Sequence, residues 1–171
     1  MGQHTLGSTT RPYSSLEFAE ACERIAGAGY LDVAMFAHNG NMPIDSSSSD
    51  SQVAAARKAA DDAGLSCSMV LGRTHLELGL DGATDDYKKL IKNCATLGAK
   101  WILELGTSKE EQYANYPKLM SAVADHAAEA GIGISLKPHG GISLTAQELI
   151  SLHDQVDHPA FRISYDPGNI I

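Results

Sequence analysis

An α/β protein of the (β/α)8 TIM-barrel type is the fold class that this sequence predicts, with about six parallel strands and five helices present. Three observations predict it. A helix-glycine-strand unit recurs, loop lengths alternate between short and long, and ionisable residues follow the ends of strand-like runs. The composition allows this fold, because 171 residues, 43% of them hydrophobic and 20% charged, can form a packed core.

Four Ala-rich amphipathic segments each end in a glycine and lead at once into an apolar run. The closing glycines are 35, 34 and 33 residues apart. Glycine supplies the left-handed conformation that closes a helix, and so regular a period indicates one repeated supersecondary unit. The predicted helices are residues 20–29, 54–64, 87–98 and 118–131, and the strands that follow them are residues 30–37, 65–71, 100–105 and 132–136.

The two ends of the chain add further elements of the same kinds. Residues 5–9 form a predicted first strand, ahead of the first helix. A fifth helix over residues 145–156 begins at Thr145, which is spaced to form a capping box with Glu148. The last predicted strand starts at Phe161. The count is therefore six strands and five helices.

Loops from strand to helix are long and polar, whereas turns from helix to strand are short. Residues 38–49 and 72–84 are the longest of these loops, and Ser49 or Asp50 is the expected cap of the second helix. Long loops at the carboxyl ends of parallel strands build ligand sites. Several strands interleave polar with apolar residues, as in Ser135-Leu136-Lys137, which suits the inside of a barrel. We therefore favour a barrel over a doubly wound open sheet.

The barrel interpretation predicts that two βα units are missing. Eight units of this period would need about 265 residues, near the ~250 of a typical barrel. The expected domain is residues 1–171, the N-terminal part of a TIM barrel that is cut before strands 7 and 8. A complete, smaller open sheet is the competing interpretation.

Charge and composition argue against several classes of partner. The net charge of −8 disfavours a nucleic-acid surface, and no apolar run approaches the ~20 residues that a membrane span needs. The first residues carry no signal-peptide pattern. Three cysteines without CxxC spacing are typical of reduced core thiols. We therefore expect a cytoplasmic protein that binds neither nucleic acid nor membrane, with its oligomeric state left open.

Glu104 and Lys137 occupy equivalent positions of neighbouring repeats. Each lies six residues after a helix-closing glycine, Gly98 or Gly131. This spacing predicts an ion pair between them in the barrel mouth, and the alternative is a strand stagger that turns Glu104 toward a helix. A lysine there can bind a carboxylate, phosphate or enolate oxygen, or act as a base or Schiff-base nucleophile. Both residues are candidate catalytic groups.

Two more ionisable residues follow the last two predicted strands. His139 lies two residues beyond Lys137, so its side chain should project to the same side, where it can donate to substrate, shuttle a proton or bind a metal. Asp166 precedes Pro167-Gly168-Asn169. A carboxylate at this position suits a divalent cation or general-base chemistry, whereas Asp-Pro-Gly is also a common plain turn.

Three polar residues are candidates for binding the substrate. Asn169 closes the turn after the last strand, and His38 and His4 lie at or beside strand ends. His75 has a similar position after the third strand. A lone histidine is more often a plain loop residue, so these assignments depend on whether the fold brings the side chains to the same edge.

The repeat period, the helix-Gly-strand pattern and Tyr165-Asp166-Pro167-Gly168-Asn169 resemble a known family. They are similar to the sugar phosphate isomerase/epimerase group of the xylose isomerase-like TIM barrel superfamily, which also includes endonuclease IV-type nucleases. The likeness covers the whole chain as the first six strands of that barrel. It implies a divalent metal, Mn, Mg, Co or Zn, held by carboxylates and a histidine of the last four strands.

The resemblance places Asp166 at the sixth-strand metal ligand, but Lys137 stands where the fifth-strand ligand is normally a Glu. Repulsion between a lysine and a divalent ion a few ångströms away would cost several kcal/mol at an effective dielectric of ~20. Either the metal is bound differently, through His139, or Lys137 acts in place of a metal. The family's remaining ligands, a His and a Glu on strands 7 and 8, would lie beyond Ile171.

The implied function is a sugar isomerase or epimerase that transfers a proton next to the carbonyl of a small sugar or sugar phosphate. Divalent-metal assistance is expected in the full-length form, and the 171-residue chain alone is expected to be inactive. Two alternatives stay open at this point. One is a Schiff-base lyase or aldolase that uses Lys137, and the other is a non-catalytic sugar-binding barrel or inactive fragment. The nuclease interpretation is disfavoured by the net charge.

Overall fold

A computed structural model describes residues 4–169, in which strands and helices alternate along the chain. The six strands are β1 Gly7–Thr9, β2 Asp32–Met35, β3 Ser66–Leu71, β4 Trp101–Glu104, β5 Gly133–Leu136 and β6 Phe161–Ile163. The five helices are α1 Phe18–Gly27, α2 Asp50–Asp62, α3 Gly79–Leu97, α4 Tyr116–Glu129 and α5 Ala146–Val156. The predicted count of elements is confirmed for these residues.

The six strands form one parallel sheet in the order β1-β2-β3-β4-β5-β6. Each strand therefore pairs with the next one along the chain, and the order never reverses. A doubly wound sheet needs such a reversal, whereas a barrel winds in one direction. The predicted barrel-type architecture is confirmed, with six of its eight strands in the described residues and β1 and β6 at the two edges.

Local signals in the sequence set the helix ends as predicted. Gly29, Gly64, Gly98 and Gly131 all have φ between 71° and 94°, the left-handed region in which glycine is favoured over other residues. Ser49 caps α2 and Thr145 caps α5, each in a complete capping box with the residue three positions on. These contacts satisfy backbone groups that a helix end would otherwise leave unpaired.

Helix α3 is longer than the sequence predicts, because it begins at Gly79 rather than near Tyr87. The glycines of this segment indicate a loop, but an apolar stripe outweighs their low helix propensity. Ala83, Tyr87 and Leu90 are buried at helical spacing against the core. The predicted loop over residues 72–84 is therefore wrong in its C-terminal half, which is the start of a helix.

The core lies between the sheet and the helices. The side chains that face the helices are buried, including Val33, Val70, Ile102 and Ile134. The three cysteines are free and buried, as predicted. The opposite face of the sheet is more open, since Trp101 is 37% exposed there. None of the helices within residues 4–169 has both the length and the apolar character that crossing a membrane requires.

Candidate functional site at the carboxyl edge of the sheet

The carboxyl ends of β5 and β6 bring Lys137 and Asp166 together. Leu136 pairs with Ile163 in the sheet register, which puts Ser164 beside Lys137 and Asp166 two residues further along the chain at the same edge. Leu136 is fully buried on the helix side. Because side chains alternate along a strand, Lys137 projects to the other face, toward the barrel interior. Parallel strands thus place both ionisable groups at one edge of the inner face.

Lys137 and Asp166 form a direct ion pair. Lys137 Nζ donates to Asp166 Oδ2 over 2.6 Å, and the two side chains are 15% and 27% exposed. The hydrogen bond from Lys137 is the main reason that the pKa of Asp166 lies below its ordinary value. The aspartate is therefore ionised near neutral pH, and the pair combines a partly shielded ammonium with a carboxylate.

The turn after Asp166 holds the same carboxylate from its other side. Asn169 Nδ2 donates to Oδ2 over 2.8 Å, and the Gly168 backbone N–H donates to Oδ1 over 3.1 Å. The Asn169 N–H donates to the Asp166 carbonyl oxygen, which closes the turn. The segment is therefore a turn, and it also fixes an ionised side chain at the edge, whereas the role of Asp166 as a cation ligand or general base stays a prediction. Asn169 joins the cluster through its hydrogen bond to Asp166 Oδ2, and its role in substrate binding stays a prediction.

A pair of hydroxyl groups extends this cluster into the inner face. Ser135 precedes Lys137 by two residues and Ser164 precedes Asp166 by two, so both share the inward direction. Their hydroxyl oxygens are hydrogen-bonded to each other. The inner face between β5 and β6 therefore carries a polar column, which Lys137, Asp166 and Asn169 complete at the carboxyl edge.

The predicted ion pair between Glu104 and Lys137 is wrong. Trp101 pairs with Gly133 and Glu104 with Leu136, so Lys137 lies one position further along than the glycine count implies. The turns before β4 and β5 are equally long, but Gly98 directly follows α3 and lies three residues before Trp101, whereas Gly131 follows Ala130 and lies two residues before Gly133. A shift of one residue moves a side chain to the opposite face of a sheet. The alternative interpretation, in which Glu104 faces the helices, is the one that the structure has.

Glu104 is only 1% exposed and lies between two tyrosines of the helix layer. Tyr87 of α3 donates from its hydroxyl to Oε1 over 2.8 Å, and Tyr116 of α4 lies beside the same carboxyl group. Burial raises the pKa of Glu104 from 4.5 to about 7, against the opposing effect of the tyrosine hydroxyls. Gly72 makes room for it, because a Cβ there would overlap Oε1. Glu104 is thus placed in the core rather than beside Lys137.

His139 lies in the exposed loop after Pro138, at the same edge as Lys137. It lines a cleft of about 480 Å³ together with residues 105–109 and Gly140. Its backbone N–H donates to Ser143, and no hydrogen bond joins its ring to Lys137 or Asp166 within residues 4–169. The structure places His139 at the predicted edge, next to an open cleft, and its chemical role stays a prediction.

His38 follows β2 at the carboxyl edge but is 6% exposed. Nδ1 lies 2.8 Å from the Leu16 carbonyl oxygen, so this nitrogen carries the proton, and the ring meets Phe18 edge to face. Nε2 is buried without a hydrogen-bond partner in the described residues. The contacts of Nδ1 and of the ring with Leu16 and Phe18 give His38 a structural role. Substrate binding by His38 stays a prediction.

His4 is not brought to the site. It lies three residues before β1, whose strand direction runs from Gly7 to Thr9. The amino ends of parallel strands lie at the opposite edge of the sheet from their carboxyl ends. The exposed His4 side chain is therefore on the wrong side to meet Lys137 and Asp166, and the predicted substrate contact is not supported by this position.

A second polar pair lies at the same edge, and the sequence pattern does not predict it. His75 Nδ1 lies 2.8 Å from Asp86 Oδ2 of α3, and both side chains are mostly buried. His75 has a φ of 43°, which is unusual for a residue other than glycine. It lines a cavity of about 280 Å³ with Arg73 and residues of the loop after β2. Only the unexpected length of α3 reveals the contact, because the predicted helix begins after Asp86.

Comparison with known proteins identifies a family that matches most of the chain. The family model for the xylose isomerase-like TIM barrel matches residues 22–171. A search among curated protein sequences returned no significant match.

Several solved structures share the fold. A magnesium complex of a xylose isomerase-like TIM barrel protein from Mycobacterium smegmatis matches with a TM-score of 0.77 at 17% identity, over 96% of this chain and 65% of that chain. D-psicose 3-epimerase with D-tagatose, from Clostridium cellulolyticum H10, matches with a TM-score of 0.71 at 18% identity, over 94% and 62%. A D-psicose 3-epimerase structure determined in the presence of D-fructose gives the same TM-score at 16% identity, over 94% and 62%. The chain therefore spans 62–65% of the length of these proteins.

Proposed function

Since this chain belongs to the xylose isomerase-like TIM barrel family, we propose that the full protein is a sugar isomerase or epimerase. It transfers a proton next to the carbonyl of a small sugar or sugar phosphate. The observation that carries the proposal is the ion pair of Lys137 and Asp166 at the carboxyl edge, where barrel enzymes hold their substrates. The two D-psicose 3-epimerases of the same fold support the choice of reaction class.

In this reaction the carbon next to the carbonyl loses a proton, and the electron pair of the broken C–H bond moves toward the carbonyl oxygen. Negative charge then develops on that oxygen. Lys137 has three N–H donors and Asp166 takes one of them, which leaves two for the charged oxygen. The ammonium is fixed before the reaction starts, so it stabilises the developing charge without first having to reorient.

His139 is the proposed proton carrier. Its exposed ring lines an open cleft at the carboxyl edge of the sheet, the edge at which Lys137 also lies. This cleft can admit a ligand. His139 takes the proton from carbon, and returning it to the neighbouring carbon on the same face gives an isomer. An epimer forms when a second donor supplies a proton to the first carbon from the opposite face. Asn169 keeps Asp166 in position, and His38 Nε2 is the proposed acceptor for a sugar hydroxyl.

A divalent metal is the cofactor that the family implies, but the described residues do not fit one at Asp166. The two oxygens of this carboxylate receive hydrogen bonds from Lys137, Asn169 and the Gly168 N–H. Residues 4–169 contain no group of three or more His, Cys, Asp or Glu side chains arranged to hold a metal ion. No step of the proposed reaction therefore passes through a metal.

The Schiff-base lyase alternative receives no support from the contacts of Lys137. A lysine nucleophile must be deprotonated and free to attack, whereas Nζ is held against an ionised carboxylate. Such chemistry would have to break the ion pair first. If borohydride and a keto sugar left Lys137 covalently modified, the lyase would replace the isomerase as the proposed function.

The experiment is a solvent-exchange assay on the full protein. Ketoses and ketose phosphates, with D-fructose, D-tagatose and D-psicose among them, are incubated in deuterated water and analysed by mass spectrometry. We expect deuterium at carbon next to the carbonyl of one or more of them, and its loss in Asp166→Asn but not in Asp154→Asn, an exposed aspartate of α5. Sugar binding without exchange would indicate the non-catalytic barrel instead.

A further inference from the structure

We infer that the ammonium of Lys137 replaces the divalent cation that the family implies, so that this site binds and activates oxygen ligands without a metal. The inference rests on the proposed function for the identity of its ligand, a sugar that presents carbonyl or enolate oxygens. The evidence that the lysine ammonium is the cation of this site is its ion pair with Asp166.

The first step is that Asp166 already has a cation. Lys137 Nζ lies 2.6 Å from Oδ2, and Asn169 Nδ2 donates to the same oxygen over 2.8 Å. Oδ1 accepts from the Gly168 N–H. A metal at this carboxylate would have to displace these donors and lie within a few ångströms of a second positive charge. Like charges at that separation repel strongly in a partly shielded site.

The second step is that Lys137 is fixed where it can serve a ligand. Its side chain is largely shielded, and the sheet register with β6 sets its position relative to Asp166. The hydroxyls of Ser135 and Ser164 lie beneath it on the inner face and bond to each other rather than to Nζ. Two of the three N–H donors on Nζ thus have no partner among the side chains of residues 4–169.

The third step is a difference in ligand chemistry. A divalent ion takes oxygen ligands that include carboxylates, whereas an ammonium donates hydrogen bonds and carries one charge. The site should therefore prefer carbonyl, hydroxyl and enolate oxygens, and chelators should leave its sugar binding unchanged. Replacing Lys137 with Glu would place two carboxylates and the Asn169 amide oxygen together, which are the ligands that Mn²⁺ and Mg²⁺ prefer.

The test is Mn²⁺ binding to the full protein after treatment with EDTA, followed by titration calorimetry and by the electron paramagnetic resonance signal of free Mn²⁺. We expect no stoichiometric binding to the wild-type protein. Lys137→Glu should bind one Mn²⁺ per chain at least tenfold more tightly than the wild type and Lys118→Glu. Lys118 is an exposed lysine of α4, so its replacement makes the same charge change away from the site.

One tightly bound Mn²⁺ per wild-type chain would overturn the inference, and so would a folded Lys137→Glu variant that binds no better than Lys118→Glu. Circular dichroism establishes whether the variant is folded, and the wild-type titration stands even where it is not. Because Mn²⁺ is titrated without sugar, this result is separate from the exchange assay. The Mn²⁺ titration therefore supports or overturns the inference even if the protein has no isomerase activity.

Discussion

Lys137 and Glu104 follow equivalent glycines but lie in opposite environments. Lys137 lies on the inner face of the sheet and is paired with the Asp166 carboxylate. Glu104 is buried among the side chains of the helix layer. The contrast arises because β4 starts three residues after Gly98, whereas β5 starts two residues after Gly131. The polar groups that face the barrel interior can meet a ligand, and those that face the helices affect stability instead.

Glu104→Gln should stabilise the protein at high pH. The folded-state pKa of about 7 lies above the ordinary value of 4.5, so the folded state holds a proton that the unfolded state has lost. Wild-type stability should therefore fall as pH rises from about 4.5 to about 7, by roughly 3 kcal/mol for this group. Gln cannot ionise and keeps an oxygen that accepts from Tyr87. Urea unfolding at pH 4, 6 and 8 measures the difference.

The matched control is Glu111→Gln, an exposed glutamate in the loop before α4. It should follow the wild-type pH profile closely. If Glu104→Gln followed the wild-type profile as well, Glu104 would titrate normally in the folded protein, and its environment would be wetter than its burial implies.

Helix α5 is the element that follows the site loop after β5, and its start is specified locally. Thr145 accepts from the Glu148 N–H, and Glu148 Oε2 accepts from the Thr145 N–H over 2.7 Å. The loop that contains His139 therefore leads into a helix whose first turn is fixed. This arrangement limits how far the loop can shift when a ligand enters the cleft.

Thr145→Ala should destabilise the protein by about 1 kcal/mol, because a backbone N–H at the start of α5 loses its acceptor. Thr145→Ser keeps the hydroxyl and should cost only a few tenths of a kcal/mol. The measurement is the midpoint of urea unfolding for both variants at one pH. Equal losses for Ala and Ser would mean that the methyl group of Thr145, rather than the cap, stabilises this end of the helix.

The elements themselves could largely be predicted from the sequence, and the pairings at the site could not. Closing glycines and capping residues act within a few positions, so the ends of α2 and α5 follow from local chemistry. The register of Glu104 against Leu136 depends on how far each strand starts from its closing glycine, and this distance differs by one residue between β4 and β5. The contact of His75 with Asp86 depends on α3 starting at Gly79, where tertiary packing overrides propensity.

At the scale of the whole molecule, the described sheet has two free edges and an open inner face. Trp101 is partly exposed on that face, and Tyr165 beyond β6 is 81% exposed. We propose that residues 1–171 form the N-terminal part of a TIM barrel domain in which two further βα units join β6 to β1. Closure of this kind would remove both edges and cover the inner face.

Trp101 provides a direct probe of this proposal, because it is the one tryptophan of the 171-residue sequence. Acrylamide should quench its fluorescence readily in the 171-residue chain and weakly in a form extended by the next coding residues. The same extended form with Trp101→Phe supplies the blank for any added tryptophan. Equal quenching in both forms would mean that no further strand covers the inner face.

The central claim is that the Lys137–Asp166 pair is the reactive centre, with the ammonium acting on the carbonyl oxygen. The most direct measurement is the rate of deuterium exchange at carbon next to the carbonyl for Lys137→Met, in the full protein and in the presence of EDTA. Removing one prearranged donor to a developing oxyanion typically costs about 10²–10³-fold in rate. We predict a loss of that size for Lys137→Met and none for Lys118→Met. Exchange by Lys137→Met at the wild-type rate would contradict the account.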